Sequence, residues 1–369
     1  MKLGLSIGYS GRSLELPLDT VLLAEQLGYD SVWTAEAYGS DAITPLAYLA
    51  AKTDRIRLGT AVMQLAGRTA AMCAMQVQTV DALAGRGRVV AGLGVSGPQI
   101  VEGWYGEPWG KPYWRLRDYV TIMGKIFARE SPVEHDGHEI VLPYPADAPG
   151  ASGLGKPLMS ILHPNPALPI WLGAGGPAMT RLAGELGQGL LPLRMWPDSM
   201  AEIGPLLMEG FARAGGGKSW TGFEIQPTID VLVTDDVEGA LAAIKPRIAL
   251  YVGGMGAREQ NYHNAQMVKA GYSDEAAQIQ EFFLAGRKAE AADAVPDAYI
   301  DGRVLVGPPD RIRERYVAWA ESGITGLTVN STQPAALRLM AEVAAETPAI
   351  GPVKAMERLA QKPAVQERA

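Results

Sequence analysis

The chain has 369 residues, of which 47% are hydrophobic and 20% are charged. This is the composition of an ordinary globular protein, and it excludes an intrinsically disordered chain and a coiled coil. The 33 basic residues are fewer than the 40 acidic ones and are scattered along the chain, so neither a nucleic acid nor a membrane surface is the expected partner. A chain of this length can bury a large core, and a small molecule is the expected ligand.

The cellular compartment is indicated by the single cysteine and by the first residues. Cys73 cannot form a disulfide within the chain, and its apolar helical surroundings predict a buried, unreactive thiol in a reducing compartment. The first residues contain too few apolar side chains for a signal peptide, and no later stretch reaches the roughly 20 apolar residues of a membrane span. We therefore expect a cytoplasmic protein.

Short apolar runs alternate with amphipathic segments along most of the chain, as is typical of parallel strands joined by crossover helices. The pattern predicts eight strands, at residues 3–8, 30–35, 56–63, 88–93, 169–172, 189–193, 223–233 and 327–329. It predicts helices at residues 17–27, 43–51, 69–83, 113–127, 178–186, 198–214 and 310–321, and another that Asp235 and Asp236 open. The periodicity lapses at residues 130–168, and residues 258–292 read as an inserted group of short helices.

Two α/β folds can be built from eight strands in this order. A doubly wound open sheet would carry a nucleotide-binding fingerprint early in the chain, and none follows the first strand. The sequence therefore favours a (β/α)8 TIM barrel, whose chemistry lies at the C-terminal ends of the strands. These ends fall at residues 9–10, 36–38, 61–64, 95–98 and 173–177.

Two of the strand ends are rich in glycine. Residues 173–177, GAGGP, lie between the fifth strand and a helix, where bare backbone amides and the helix dipole suit a phosphate. A plain tight turn would need the same glycines. Residues 92–98, GLGVSGP, do not match the dinucleotide fingerprint, but they offer a hydroxyl and further amides on the neighbouring strand. Together the two ends predict a phosphorylated cofactor.

A carboxylate and a phenol follow the second strand. Glu36 ends the apolar run VWTA, and at that depth in a barrel its carboxylate could hold a cofactor or relay a proton. The alternative is a structural ion pair. Tyr38 is the second candidate for a catalytic group.

The histidines and tryptophans are less informative. The four histidines have no spacing that suits a metal, so no metal site is expected. Trp104, Trp109 and Trp114 crowd the segment after the fourth strand. They either line a flat apolar cavity or pack an excursion of the chain.

Six sequence blocks together resemble the luciferase-like monooxygenase superfamily, and within it the deazaflavin-dependent oxidoreductases that include methylenetetrahydromethanopterin reductase. The blocks are LGYDSVWTAEAYGSD at 27–41, LGTAVMQL at 58–65, RVVAGLGVSGP at 88–98, PIWLGAGGPAMTRLAGELGQG at 169–189, YVGGMG at 251–256 and LVGPPDRIRERYVAWAESGITGLTV at 305–329. Two positions depart from the relatives' pattern: Tyr38 stands where many of them have a histidine near the acid, and Gln188 replaces the aspartate of a GDG turn.

The resemblance implies a single luciferase-like barrel over residues 1–345, with insertions at about 95–112, 130–168 and 251–300, and a C-terminal tail at 346–369. It implies a homodimer or larger assembly, and the 8-hydroxy-5-deazaflavin coenzyme F420 as cofactor, with FMN as the alternative. The expected reaction is hydride transfer between C5 of the deazaflavin and a small organic substrate. An FMN-dependent monooxygenase and a non-catalytic cofactor-binding barrel are the competing interpretations.

The resemblance also assigns cofactor contacts to individual positions. Ala61 and Val62 are expected to flank a non-prolyl cis peptide bond under the cofactor ring, with Gln64 beside it. The phosphate end is expected to meet two groups of residues: Val95, Ser96 and Gly97 after the fourth strand, and Gly175, Gly176, Pro177, Ala178 and Met179 after the fifth.

Overall fold

The structure, a computed structural model, describes residues 1–163, 165–255 and 261–361. The strands in these stretches are β1 (Lys2–Gly8), β2 (Ser31–Thr34), β3 (Arg57–Thr60), β4 (Met63–Gln64), β5 (Val89–Gly94), β6 (His135–Asp136), β7 (Val141–Leu142), β8 (Ile170–Ala174), β9 (Gly189–Pro192), β10 (Glu224–Ile225), β11 (Thr228–Val233), β12 (Leu305–Gly307) and β13 (Gly326–Asn330).

The helices in the same stretches are α1 (Leu18–Gln26), α2 (Thr44–Ala50), α3 (Ala70–Leu83), α4 (Pro98–Gly103), α5 (Pro112–Ala128), α6 (Pro177–Leu186), α7 (Met200–Ala214), α8 (Val237–Ala249), α9 (Tyr262–Lys269), α10 (Ser273–Leu284), α11 (Lys288–Asp293), α12 (Asp297–Asp301), α13 (Pro309–Glu321), α14 (Pro334–Glu346) and α15 (Gly351–Gln361). A 3-10 turn spans Leu65–Gly67, and a π turn spans Leu250–Gly254.

The main sheet is parallel and closes on itself. Its strands follow one another in the order β10, β9, β8, β5, β3, β2, β1, β13, β11 and β12. The chain runs directly from β10 to β11, so it joins the two sides of the sheet: the Gln226 amide donates to the Leu190 carbonyl at 3.1 Å, and the Thr328 amide donates to the Pro227 carbonyl at 2.8 Å. The predicted eight-stranded barrel is confirmed.

Two predicted strands are interrupted. The strand predicted at 56–63 ends at Thr60 and resumes as β4 after the Ala61–Val62 bond. The strand predicted at 223–233 is divided into β10 and β11 because Pro227 has no amide proton to continue the ladder. Below this break the strand pairs with β9, and above it with β13.

A short strand, β12, was not predicted. It pairs in parallel with β11, with Val231 opposite Leu305, whereas Asp230 already faces the last residue of β13, Asn330. β12 therefore extends the barrel wall beyond the C-terminal ends of the other strands. Three residues are too few to show a period of two in the sequence.

Tryptophans fill the middle of the barrel. The rings of Trp33 and Trp171 lie 5.1 Å apart and are almost fully buried. Glycines on the neighbouring strands make room for them, because a Cβ atom on Gly59 would lie 2.3 Å from Trp33 and one on Gly189 would lie 2.5 Å from Trp171. With the centre packed in this way, a ligand has room only at a barrel end.

The insertions carry small elements of their own. Strands β6 and β7 form an antiparallel hairpin within the predicted 130–168 insertion. Residues of α8 to α12 share a separate apolar core that includes Val252, Met267 and Ile279. The predicted helical insertion at 258–292 begins with residues outside the described stretches and continues as α9, α10 and α11. In the C-terminal tail, α15 packs on α7 and α13 and buries Ala355.

Cys73 lies in α3 and is buried, as predicted. Burial raises the pKa of its thiol to about 11, which keeps it protonated and unreactive at neutral pH. In the described stretches, no helix is long and apolar enough to cross a membrane.

Candidate active site at the mouth of the barrel

The bulge after β3 meets the two glycine-rich strand ends. The Ala61–Val62 peptide bond is cis, as predicted. A Cβ atom on Gly94, at the end of β5, would lie 2.4 Å from the Val62 side chain, and one on Gly173, in β8, would lie 3.0 Å from it. Because both positions are glycine, Val62 can lie across the ends of both strands.

Helix α6 begins beside this bulge with its first amides open. Gly176 is the N-cap residue, and a Cβ atom added to it would meet no other atom within 4 Å. No side chain caps the helix, so the amides of Ala178 and Met179, in the first turn, have no partner within the helix. Open amides at the positive end of a ten-residue helix are a ready site for an anion.

The turn after β5 has an unusual backbone. Ser96 has a φ of 62°, in the left-handed region that residues with a Cβ atom rarely occupy. Gly97 follows as the N-cap of the short helix α4, again without a capping side chain. The surrounding structure must hold Ser96 in this conformation, and such positions concentrate at ligand-binding sites.

Glu36 is buried and fully hydrogen-bonded. Its Oε1 atom accepts from the Gln64 amide at 2.6 Å and from Arg68 Nη1 at 2.8 Å. Its Oε2 atom accepts from the Ala42 amide at 3.0 Å and from Arg68 Nη2 at 2.7 Å. The Gln64 side chain donates in turn to the Glu36 carbonyl at 2.9 Å. The carboxylate thus ties the end of β2 to the short strand after the bulge.

Arg68 is the partner that the sequence did not reveal. Its side chain is only 9% exposed and that of Glu36 only 3%. Burial lowers the pKa of the guanidinium, but the hydrogen bonds and charge of Glu36 more than offset this, and the net shift is upward. A bidentate pair of this kind is the strong form of an ion pair. A lone arginine in the apolar stretch before α3 was the only available signal.

Four aromatic side chains lie around the mouth. Tyr38 is 59% exposed and Trp104 is 62% exposed, and their rings lie 6.4 Å apart. The pKa of Tyr9 is raised by burial and by the nearby phenols of Tyr251 and Tyr38, which places the three tyrosines close together. Tyr9 and Tyr251 were not predicted as site residues, although each lies in a segment that the sequence singled out.

Two of the three crowded tryptophans differ in their surroundings. Trp104 joins the aromatic group at the mouth. Trp114 instead packs within the excursion of the chain, with its ring 3.8 Å from that of His138 and 5.1 Å from that of Tyr113.

Residues of the helical insertion complete the site. The Tyr262 hydroxyl donates to the Gly175 carbonyl, and its ring lies where a Cβ atom on Gly175 would stand, at 2.5 Å. The neighbouring His263 accepts from Arg194 through Nδ1, at 3.0 Å from Nε. Burial and nearby guanidinium charges lower the pKa of His263 to about 3, so its ring is neutral at physiological pH.

Metal ligation has no evident basis in the described residues. Within them, no group of three histidine, cysteine, aspartate or glutamate side chains could hold a metal ion. The site is instead built from backbone amides, aromatic rings and arginines.

The chain matches known proteins over most of its length. A Mycobacterium tuberculosis protein named as a candidate coenzyme F420-dependent oxidoreductase is 46% identical over 333 residues, which cover 90% of this chain and 95% of that protein. A 5,10-methylenetetrahydromethanopterin reductase of Archaeoglobus fulgidus is 28% identical over 313 residues, with coverages of 84% and 88%.

A solved structure shares the fold. The coenzyme F420-dependent tetrahydromethanopterin reductase from Methanopyrus kandleri superposes with a TM-score of 0.72 at 20% identity, covering 92% of this chain and 97% of that one. Residues 4–326 match the luciferase-like monooxygenase family. The chain therefore belongs to the luciferase-like monooxygenase family.

Proposed function

We propose that this protein is a coenzyme F420-dependent oxidoreductase that exchanges a hydride with a small organic substrate at the mouth of the barrel. The observation that carries the proposal is the meeting of the Val62 bulge with two glycine-rich strand ends, one of them at the open N-terminus of α6. The choice of coenzyme F420 is supported by the relatives whose names carry that cofactor.

The residues present fit a cofactor with a phosphate group. The amides of Gly176, Ala178 and Met179 would bind the phosphate, with Pro177 starting the helix at that point. The turn of Val95, Ser96 and Gly97 would add contacts from the neighbouring strand. Ala61, Val62 and Gln64 would support the ring. Bound coenzyme F420 supplies a ring carbon that gives or takes a hydride.

Glu36 serves in this proposal as a positioning residue. All its hydrogen bonds are directed to Arg68 and to backbone amides, so a proton could reach it only if the ion pair were disturbed. Its carboxylate holds Gln64, which lies two residues after Val62 and would thereby steady the bulge under the ring. In this role Glu36 shapes the site but does not transfer a proton.

Tyr38 is our candidate for the group that exchanges a proton with the substrate. It is exposed at the mouth beside Tyr9, a second phenol whose pKa is raised by partial burial and by its tyrosine neighbours. Phenols can donate or accept a proton at a reacting oxygen. The rings of Tyr251 and Trp104 would limit the access of water.

Titration of the purified protein with coenzyme F420 and, separately, with FMN tests the cofactor assignment. We expect saturable changes in deazaflavin absorbance and fluorescence, and binding of FMN at least about tenfold weaker, or about 1.4 kcal/mol. Tight FMN binding accompanied by oxygen consumption would instead identify a monooxygenase. Binding of coenzyme F420 without turnover of any substrate in a broad panel would indicate a non-catalytic barrel.

A further inference from the structure

Two arginines beside the mouth have no carboxylate partner among the described residues. Arg194 follows β9, and Arg303 precedes β12, the strand that extends the wall. Neither guanidinium forms an ion pair with a described residue, whereas others such as Arg57, Arg68 and Arg311 do. Both side chains are partly buried.

The side chains in direct contact with the two arginines are aromatic rings and a neutral imidazole. Arg303 lies 4.5 Å from the Tyr299 ring and 5.6 Å from the Trp196 ring. Arg194 lies 5.8 Å from the Tyr251 ring and donates to the neutral ring of His263. These contacts hold the guanidinium groups in place but do not neutralise their charge.

Placing these two charges together is unfavourable without a counter-ion. Burial, and after it the charge of Arg194, lower the pKa of Arg303 to about 10. Burial also lowers the pKa of Arg194. Asp230 is the acid whose charge acts on the pKa of Arg303. Its carboxylate, however, already forms an ion pair with Arg247 and accepts a hydrogen bond from Asn330 at 2.6 Å. Partly buried like charges cost free energy unless an anion joins them.

A third polar group at this cluster is incompletely satisfied. The Tyr299 side chain is 1% exposed, and its hydroxyl faces the Arg194 guanidinium without forming a hydrogen bond of good geometry with any described residue. Its ring contacts Arg303. A buried hydroxyl without a well-formed hydrogen bond costs free energy, which a bound ligand could recover.

The cluster belongs to the mouth of the barrel. Through Tyr251 it adjoins Tyr9 and so Tyr38. Through His263 it adjoins Tyr262, the residue that packs on Gly175. A substrate bound among the tyrosines would therefore lie beside both guanidinium groups.

We propose that Arg194 and Arg303 form an anion subsite that binds an acidic group, a carboxylate or a phosphate, of the substrate. The proposal rests on the proposed function, which puts the substrate at the mouth. Arginine presents a planar set of donors that matches the oxygens of both acidic groups. The acidic group satisfies the two charges and anchors the substrate while its reacting carbon lies toward the tyrosines.

Anion binding to the cofactor-loaded protein tests this proposal, with inorganic phosphate and succinate as the two probes. Calorimetry is carried out on the parental protein, on Arg194→Gln and Arg303→Gln, and on Arg338→Gln as a matched control on the exposed face of α14. We expect at least one probe to bind, and each of the first two substitutions to weaken that binding by about tenfold or more. Arg338→Gln should change it by less than about twofold.

The affinity for coenzyme F420, measured separately by fluorescence, should change by less than about twofold in every variant. A parallel loss of cofactor affinity would assign the arginines to the cofactor and overturn the substrate assignment. The absence of binding by both probes, or equal binding in all variants, would overturn the anion subsite. The phosphate titration is also repeated on the cofactor-free protein. Loss of phosphate binding in the arginine variants under both conditions would concern the anion subsite alone and would not depend on the cofactor assignment.

A second measurement needs no substitution. Phenylglyoxal modifies accessible arginines, and mass spectrometry of peptides reports each site. Phosphate or succinate, whichever binds, should slow the modification of Arg194 and Arg303 and leave Arg338 unaffected. Equal modification with and without each of the two anions would contradict the proposal even if the glutamine variants failed to fold.

Discussion

Arg68 holds the carboxylate of Glu36 through both of its terminal nitrogens, at 2.8 and 2.7 Å. The same carboxylate accepts hydrogen bonds from the amides of Gln64 and Ala42. One buried ion pair therefore connects the segment after β2 with β4, with the residues before α2 and with the residues before α3. The site therefore depends on this pair for its shape, whatever ligand it binds.

Replacing one member of the pair should cost more than replacing both. Glu36→Gln leaves Arg68 charged and buried, so we expect the free energy of unfolding to fall by about 3 kcal/mol. Glu36→Gln combined with Arg68→Met removes the unpaired charge and should recover part of that loss. Urea unfolding of the parental protein, the two single variants and the double variant measures the coupling.

The same variants separate positioning from catalysis. If Glu36 acts by holding the bulge, Glu36→Gln should weaken coenzyme F420 binding and slow hydride transfer together. A variant that binds the cofactor with parental affinity but transfers hydride about 10²-fold more slowly would instead identify a proton relay.

Gly176→Asp should block the phosphate site without harming the fold. Aspartate is a favourable N-cap residue, so the introduced carboxylate would accept the open amides of α6 itself and repel a phosphate. We expect coenzyme F420 affinity to fall by at least about tenfold while the melting temperature stays the same or rises. Gly124→Asp, at an exposed glycine of α5 with open space around it, is the control. If Gly176→Asp bound coenzyme F420 with unchanged affinity, the assignment of the phosphate to the N-terminus of α6 would be wrong.

Tyr38→Phe removes the hydroxyl but keeps the ring that contacts Trp104. With the first substrate found to change the deazaflavin absorbance, we expect the hydride-transfer rate to fall by about 10²-fold and the cofactor affinity to stay unchanged. Tyr48→Phe is the control, because Tyr48 is exposed on α2, where Lys52 lies over its ring. A parental rate in Tyr38→Phe, with a slow Tyr9→Phe, would transfer the role to Tyr9.

The buried His263 should make the protein less stable in acid. Its pKa is about 3 in the folded protein, because of burial and the charges of Arg194 and Arg303, and about 6.5 in the unfolded chain. Between these values the unfolded chain binds the extra proton, so stability present above about pH 6.5 is lost progressively as the pH falls toward 3.

His263→Gln should reduce this loss. We expect the difference in urea midpoint between pH 7 and pH 4 to be smaller in His263→Gln than in the parental protein, with the exposed His163→Gln as control. Equal differences in all three proteins would show that His263 does not contribute.

The sequence predicted the barrel because its signals are local. Apolar runs and turn residues identify strands and helices, and the glycine-rich ends lie next to the strands they follow. The Ala61–Val62 cis bond was predicted from family resemblance alone, since no physical pattern in those two residues indicates it.

Contacts between side chains that are distant in sequence could not be predicted from local patterns. Arg68 meets Glu36 from 32 residues away, and Tyr262 meets Gly175 from 87 residues away. Arg303 shows no local pattern, and it becomes significant only when the fold places it beside Arg194. Side-chain partners of this kind follow from tertiary structure rather than from periodicity.

The central claim is that a deazaflavin bound at the barrel mouth exchanges a hydride with a small organic substrate. The most direct measurement mixes the coenzyme F420-loaded protein with candidate alcohols, aldehydes and acids under anaerobic conditions and follows the deazaflavin absorbance in a single turnover. We predict an absorbance change without oxygen, matched by an equimolar amount of oxidised or reduced product. Turnover that occurs only with FMN and consumes oxygen would contradict the account.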